Sequence, residues 1–216
     1  MYWFLIAAAV IFYAVKRHNR RSIGPTGSRL PASRSQRSGE QGEAAVRTEL
    51  RAALQWLCGD NFYLHPGALL LNHAPGSAFP TAEVDHLAIT PFGIFVVETK
   101  NWAGRIEPGP DIKSVVRIGV DGHREMRRSP TQQNRSKGAF LRSVLPGSWL
   151  VERIAVFPNP HCDLSSALPV NLMRATDLRQ SLHDHKSRHD ARNAMPVDAV
   201  QARRAVLAVA ETGAVP

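Results

Sequence analysis

Residues 83–100 read EVDHLAITPFGIFVVETK, and how the two halves of this stretch pair decides the fold. Residues 83–90 and 94–100 are rich in Val, Ile, Leu and Phe, so each half reads as a strand, and Pro91-Phe92-Gly93 between them reads as a type I turn. Strands of this composition normally exclude ionisable groups, yet these contain Asp85, His86, Glu98 and Lys100. Burying such groups is costly unless they pair with one another or hold a metal. Glu98 and Lys100 are two apart and project from one face. With a two-residue loop, Thr90 pairs with Gly93, and Asp85 falls opposite Glu98 on that face, with carbons about 5 Å apart. With a three-residue loop the register slips by one and Asp85 faces away. Turn chemistry allows both. We take the first pairing, or a bulge that restores it, because it gives the acids a reason to be there. His86 then points to the opposite face and is expected to be packed.

Two carboxylates converging beside a lysine form a site for a divalent metal and phosphodiester hydrolysis. Oxygen ligands suit Mg²⁺ or Mn²⁺, held by Asp85 and Glu98. Such a metal lowers the pKa of a bound water and offsets charge growing on the phosphate. Lys100 would then orient or deprotonate the water, or neutralise the transition state.

Around this stretch, residues 40–57 carry Ala45, Val46, Leu50, Ala53, Leu54 and Leu57 at helical spacing, with Gly59 as a stop. Residues 69–71 suggest a short strand. Residues 113–120 and 124–126 flank Asp121-Gly122, a hairpin signal. Residues 130–145 read as one helix with Pro near its first turn, residues 151–157 as a strand, and residues 177–185 and 197–210 as two helices. The order α-β-β-β-α-β implies an α/β protein with a mixed central sheet flanked by helices.

Three sets of residues then resemble the nuclease-related (NERD) domain: Gly39-x-x-Gly42-Glu43; Val84-Asp85-His86 with residues 93–102 (GIFVVETKNW) and Gly104; and Ser129-Pro130-x-x-Gln133-Asn134. The likeness covers roughly residues 37–160, with Val84 and Ser129 as mild departures from the usual Ile and Asn. That family resembles the PD-(D/E)XK nuclease superfamily, so the resemblance implies a restriction-endonuclease-like core and a metal-dependent nuclease. It implies Asp85, Glu98 and Lys100 as the D…ExK triad, Glu43 as a metal or water-mediated contact, and Gln133 as a support for the site or a substrate contact. The rivals are a nuclease-like module that binds nucleic acid or protein without cutting, and a structural protein whose triad is only an ion network.

The chain has 216 residues, with 27 Lys and Arg against 18 Asp and Glu, a net charge of +9. Two cysteines, Cys58 and Cys162, exclude a disulfide-stapled scaffold, and the 44% hydrophobic content excludes a wholly disordered chain. The charge is uneven: Lys16, Arg17, Arg20, Arg21, Arg29, Arg34 and Arg37 come before the first acid, Glu40. They follow an uncharged run, residues 1–15 (MYWFLIAAAVIFYAV), with Tyr2, Trp3 and Tyr13 suited to membrane interfaces. The expected plan is a transmembrane signal anchor (1–15) with the N-terminus outside, a basic flexible linker (16–38), a cytoplasmic nuclease-like domain (39–160), and a helical extension packing on it (161–216). Besides the membrane, the expected partner is nucleic acid, DNA ahead of RNA. Its candidate contacts are Arg124, Arg127, Arg128, Arg135 and Lys137, with Arg142 nearby. Trp102 reads as a core plug more than a base-stacking platform. His183, His185 and His189 read as an exposed polar helix end.

Overall fold

The computed structural model describes residues 34–74, 76–78 and 80–210. The anchor expected over residues 1–15 and most of the linker lie outside them. Among the described residues no helix is long and apolar enough to cross a membrane.

The first helix, α1 (Arg34–Cys58), begins before the apolar periodicity does, so the last residues of the expected linker are helical. Val46, Leu50, Ala53 and Leu54 are buried and Leu57 partly so, whereas Ala45 faces out. Two short strands follow, β1 (Tyr63–Leu64) and β2 (Leu69–Asn72), separated by His65-Pro66-Gly67-Ala68. The expected strand over residues 83–90 is split in two. β3 (Thr81–Val84) pairs with β2, β4 (His86–Thr90) pairs with β5 (Gly93–Thr99), and Asp85 is the bend between them. The hairpin register is the one chosen from the sequence: Thr90 pairs with Gly93 and His86 with Val97. Thr90 Oγ1 helps close the loop by accepting from Phe92 N–H at 3.3 Å.

The central sheet runs β1-β4-β5-β9-β11, with β9 at Val151–Phe157 and β11 at Leu172–Arg174. β1 and β4 are antiparallel to their neighbours up to β5, whereas β9 and β11 run parallel to it and to each other. The α-β-β-β-α-β order therefore holds, with β1 rather than residues 69–71 as the first central strand. β4 and β5 are buried throughout, which explains their unbroken apolar runs. On one side, α1 packs against Phe95, Val97 and Ile154. On the other, Ile94, Val96 and Val151 meet Leu141 and Val206. These come from α3 (Arg135–Val144) and α5 (Ala199–Ala208).

The connection from β5 to β9 carries a second sheet: β6 (Gly104–Pro108), β7 (Ser114–Ile118) and β8 (Arg124–Arg128). Next comes α2 (Pro130–Gln133), which Asn134 separates from α3. The expected single helix over residues 130–145 is thus two pieces. Fully buried Asn134 turns its Nδ2 to Val96 O at 3.3 Å, tying the break to β5. The extension is not purely helical. β10 (Cys162–Leu164) joins the second sheet beside β6 and β11 closes the central one, before α4 (Leu178–Ala191) and α5. His185 of α4 is half-buried with its ring edge-on to Phe95 at 5.3 Å, so that histidine is not part of an exposed end.

Two glycines of the family pattern are explained by close approach. A Cβ on Gly42 would stand 2.7 Å from Asn101 Cβ, so α1 can lie against the loop after β5 only without a side chain there. Gly104 has φ +94°, and a Cβ would collide with the Ile118 carbonyl on the neighbouring strand. Gly104→Ala is therefore expected to cost about 2 kcal/mol or more, from the left-handed backbone and the displaced β6–β7 pairing. Urea denaturation would check this, and an unchanged midpoint would refute it.

Candidate active site

The carboxyl end of β5 is where the ionisable groups gather. Because side chains alternate along a strand, Glu98 points away from the α1 side while Thr99 points toward it. The backbone of Asp85 leaves the sheet at its bend, and its Oδ2 accepts the Thr99 N–H at 2.8 Å. Asp85 thus closes the end of the hairpin with its side chain instead of a ladder bond. His86, 3% exposed, lies on the other face with Nε2 3.1 Å from Thr99 Oγ1, while its Nδ1 has no partner among the described residues. Burial, with Arg47 nearby, pushes the imidazole down to about 4, so His86 is neutral and packed, as its position predicted.

Glu98 is 5% exposed, and each of its oxygens takes a lysine: Lys100 Nζ to Oε1 at 2.7 Å, and Lys137 Nζ to Oε2 at 2.9 Å. Lys100 follows β5, and its own N–H donates to Val156 O. Lys137 arrives from α3 and is buried. A cleft of about 540 Å³ opens over these groups, lined also by Glu43, Glu83, Asp85, Asn101 and Trp102. Glu43, Glu83, Asp85 and Glu98 against Lys100 and Lys137 leave the lining two negative charges in excess. Burial first, and then Glu98, pushes the Asp85 carboxyl up to about 6, against the opposing Thr99 hydrogen bond and the two lysines. Glu43 is exposed at the rim; partial loss of water there, then Glu83, Glu40 and Glu98, raises its carboxyl above the usual range.

The structure thus brings Asp85, Glu98, Lys100 and Glu43 to one cleft. Gln133 is not among its lining residues; it ends α2 half-buried, and its side chain makes no hydrogen bond to another described residue. Lys137, expected as a surface phosphate contact, is instead a buried partner of Glu98. No spacing in the sequence signals this, since the helix breaks at Asn134 and only the packing of α3 on the sheet brings Lys137 to Glu98. Glu83 was overlooked too, although its spacing of two from Asp85 puts them on one face of an extended chain. Of the remaining arginines, Arg124 pairs with Glu107 and Arg127 with Glu125, while Arg128 and Arg135 line a separate groove. Trp102 sits edge-on to Phe157 at 5.8 Å and is half-buried, so it plugs the second sheet while its flank reaches the cleft.

A mixed-sheet α/β fold with an acid-and-lysine cleft at the end of its central strand is the class of protein these features define. Residues 38–158, more than half of the chain, match the model of the nuclease-related domain, NERD, and the chain belongs to that family. Neither a curated protein nor a solved structure gives a match.

Two measurements test the electrostatics. Between pH 4 and 6 the folded state holds the Asp85 proton more tightly than the unfolded chain, whose ordinary value is near 3.8, so this group's contribution to metal-free stability falls as pH rises. His86 acts oppositely, losing stability as pH falls from 6.5 toward 4. The Asp85→Asn variant isolates the first effect: in EDTA its Tm is expected to match wild type below pH 4 and to exceed it above pH 6. A constant difference across that range would refute the shift. Separately, Glu98→Ala leaves two cations without their carboxylate and is expected to cost about 3–5 kcal/mol. Lys137→Met, which leaves Lys100 on Glu98, is expected to cost clearly less in the same urea titration.

Proposed function

We propose that the cleft is the active site of a metal-dependent nuclease of PD-(D/E)XK type, with a restriction-endonuclease-like core. The observation that carries this is the convergence of Asp85, Glu98 and Lys100, in the D…ExK order, on one cleft at the end of a buried strand. The donor set fits Mg²⁺ or Mn²⁺: its donors are hard carboxylate oxygens, the lining carries two excess negative charges, and burial and then Glu98 make Asp85 resist ionisation, a cost that a bound divalent cation would offset. Asp85 and Glu98 would hold the ion, with Glu43 at the rim as a further contact. When bound, it lowers the pKa of a water and offsets charge on the phosphate.

The residues of the chain divide the remaining work. Lys100 positions the attacking water or neutralises the charge that builds on the phosphoryl oxygens as the water's oxygen bonds to phosphorus and one ester P–O bond breaks, the water's proton balancing the departing oxygen, which leaves as a hydroxyl. Lys137 holds the Glu98 side chain in place through its Oε2. The substrate is nucleic acid, DNA ahead of RNA. The uncharged residues 1–15 and the seven basic residues that follow support anchoring to a membrane with the domain on its cytoplasmic side.

One observation favours a second reading, a nuclease-like module that binds without cutting. Both Glu98 oxygens are taken by lysines, and among the described residues no three His, Cys, Asp or Glu side chains group closely enough to hold a metal. A cation would have to displace an ammonium from Glu98. Incubating the chain with plasmid, single-stranded DNA and RNA, in Mg²⁺, Mn²⁺ or EDTA, separates the two. The enzyme reading expects cleavage with metal only, reduced at least about a hundredfold in Lys100→Ala. Binding without cleavage under every condition would leave the binding module standing.

A further inference from the structure

The β8 arginines that the sequence singles out, Arg124 and Arg127, are paired with acids. Arginines with fewer acidic neighbours lie along α3. Arg135 and Arg142 are seven residues apart, two turns along one side of that helix, and both are exposed. Between them Gly138 leaves the helix surface flat. A Cβ there would stand 2.6 Å from Arg153 Cδ, so the absence of a side chain lets the stem of Arg153, from β9, cross the helix at this point. Partial burial first, and then the Arg142 and Arg135 charges, make the Arg153 guanidinium less willing to hold its proton than usual. The three guanidiniums therefore feel one another.

They have little to neutralise them. Glu152 is the one acid acting on Arg153, and it lines a pocket with Arg142 at the start of β9, so one carboxylate stands near three guanidiniums. Arg142 donates to the Val151 carbonyl at 2.5 Å, which fixes its direction and leaves its charge in place. Beyond Arg135 the row runs into a groove of about 430 Å³ lined by Lys113, Arg128, Gln132 and Ser136, with no acidic side chain in its lining.

We propose that the row Arg135–Arg153–Arg142, extended by the Lys113–Arg128 groove, is the surface that tracks a nucleic-acid phosphate backbone; this rests on reading the cleft as one that takes nucleic acid. The row is about 10 Å long at 1.5 Å per residue, the axial length of about three nucleotides of one strand. The same helix sends Lys137 from its buried side into the cleft, so the row and the cleft share one element and lie on different sides of it. Guanidiniums spaced along one helix and ending in a groove without acids match a linear chain of phosphates better than a flat lipid surface. Gly138 is the positioning element of the row, since any side chain there would push Arg153 aside.

The test is fluorescence anisotropy of the full chain with a labelled 20-base-pair duplex, in EDTA so that binding is read without cleavage, across a salt series. Arg135→Gln with Arg142→Gln is expected to weaken binding about tenfold or more near 0.1 M salt, and to reduce the slope of log K against log salt by about 2, since each phosphate no longer neutralised lowers it by about 0.9. Arg124→Gln with Arg127→Gln, whose arginines already pair with Glu107 and Glu125, is expected to leave both quantities unchanged. Arg142→Gln gives up the bond to the Val151 carbonyl, so the melting curve of the double variant is recorded beside that of Arg135→Gln alone, which is exposed and is expected to match wild type in stability while showing about half of the slope change. Unaltered affinity and slope in the row variant would overturn the proposal. So would an unaltered duplex affinity accompanied by lost binding to phosphatidylserine vesicles, which would assign the row to lipid headgroups. Duplex binding through the row with no metal-dependent cutting would remove the enzyme reading alone. Cutting by a row variant that binds like wild type would remove this one alone.

Discussion

Everything at the functional end of this protein depends on the Glu98 carboxylate, which is buried at the end of a strand otherwise filled with Gly, Ile, Phe, Val and Thr. An unpaired charge there would cost several kcal/mol, and the fold answers it with two ammonium groups from different elements. Lys100 is local, two residues along the chain. Lys137 is not: it requires α3 to pack on the sheet with one side turned to β5. That packing is fixed in turn by Leu141 in the core and by the Asn134 side chain on the Val96 carbonyl.

Asp85 completes the arrangement by a different route. Its backbone breaks the strand so that β3 can pair with β2 while β4 continues in the central sheet, and its carboxylate caps the amide left free on Thr99. One residue is thus a chain bend, a cap for β5 and an acid in the cleft. The cost is a carboxyl held away from water next to Glu98, which is why its proton affinity rises. The cleft is then an electrostatic balance in which two lysines only partly offset four carboxylates, and the remaining negative charge is what a divalent cation would complement.

Positive charge is sorted by the same tertiary contacts. The lysine and the arginines of α3 lie close in sequence, yet Lys137 is drawn under the surface by Glu98 while Arg135 and Arg142 stay out beside Arg153. The β8 arginines find acids across their own sheet, at Glu107 and Glu125. A cluster of cations that looks uniform in sequence therefore has three different environments.

Much of this was legible in residues 83–100. Alternation was enough for the two strands and for the face shared by Glu98 and Lys100, because these follow from a period of two. The register needed the further argument that the buried acids share a site, since the Pro-x-Gly turn allows loops of two or three residues. The helix α1 was legible from its apolar period, and the family from the spacing of Asp85, Glu98, Lys100 and their neighbours. The shortest strands were not legible: β1, β10 and β11 have two or three residues each, too few to show any period, and they exist because the sheet edges beside them need partners. Nor was the placement of Lys137, since one sequence pattern serves both a solvated and a buried lysine. Periodicity determined which side chains share a face. Only the packing of α3 on β5 decided which of them meet, because a buried carboxylate selects its partners by distance in space rather than along the chain.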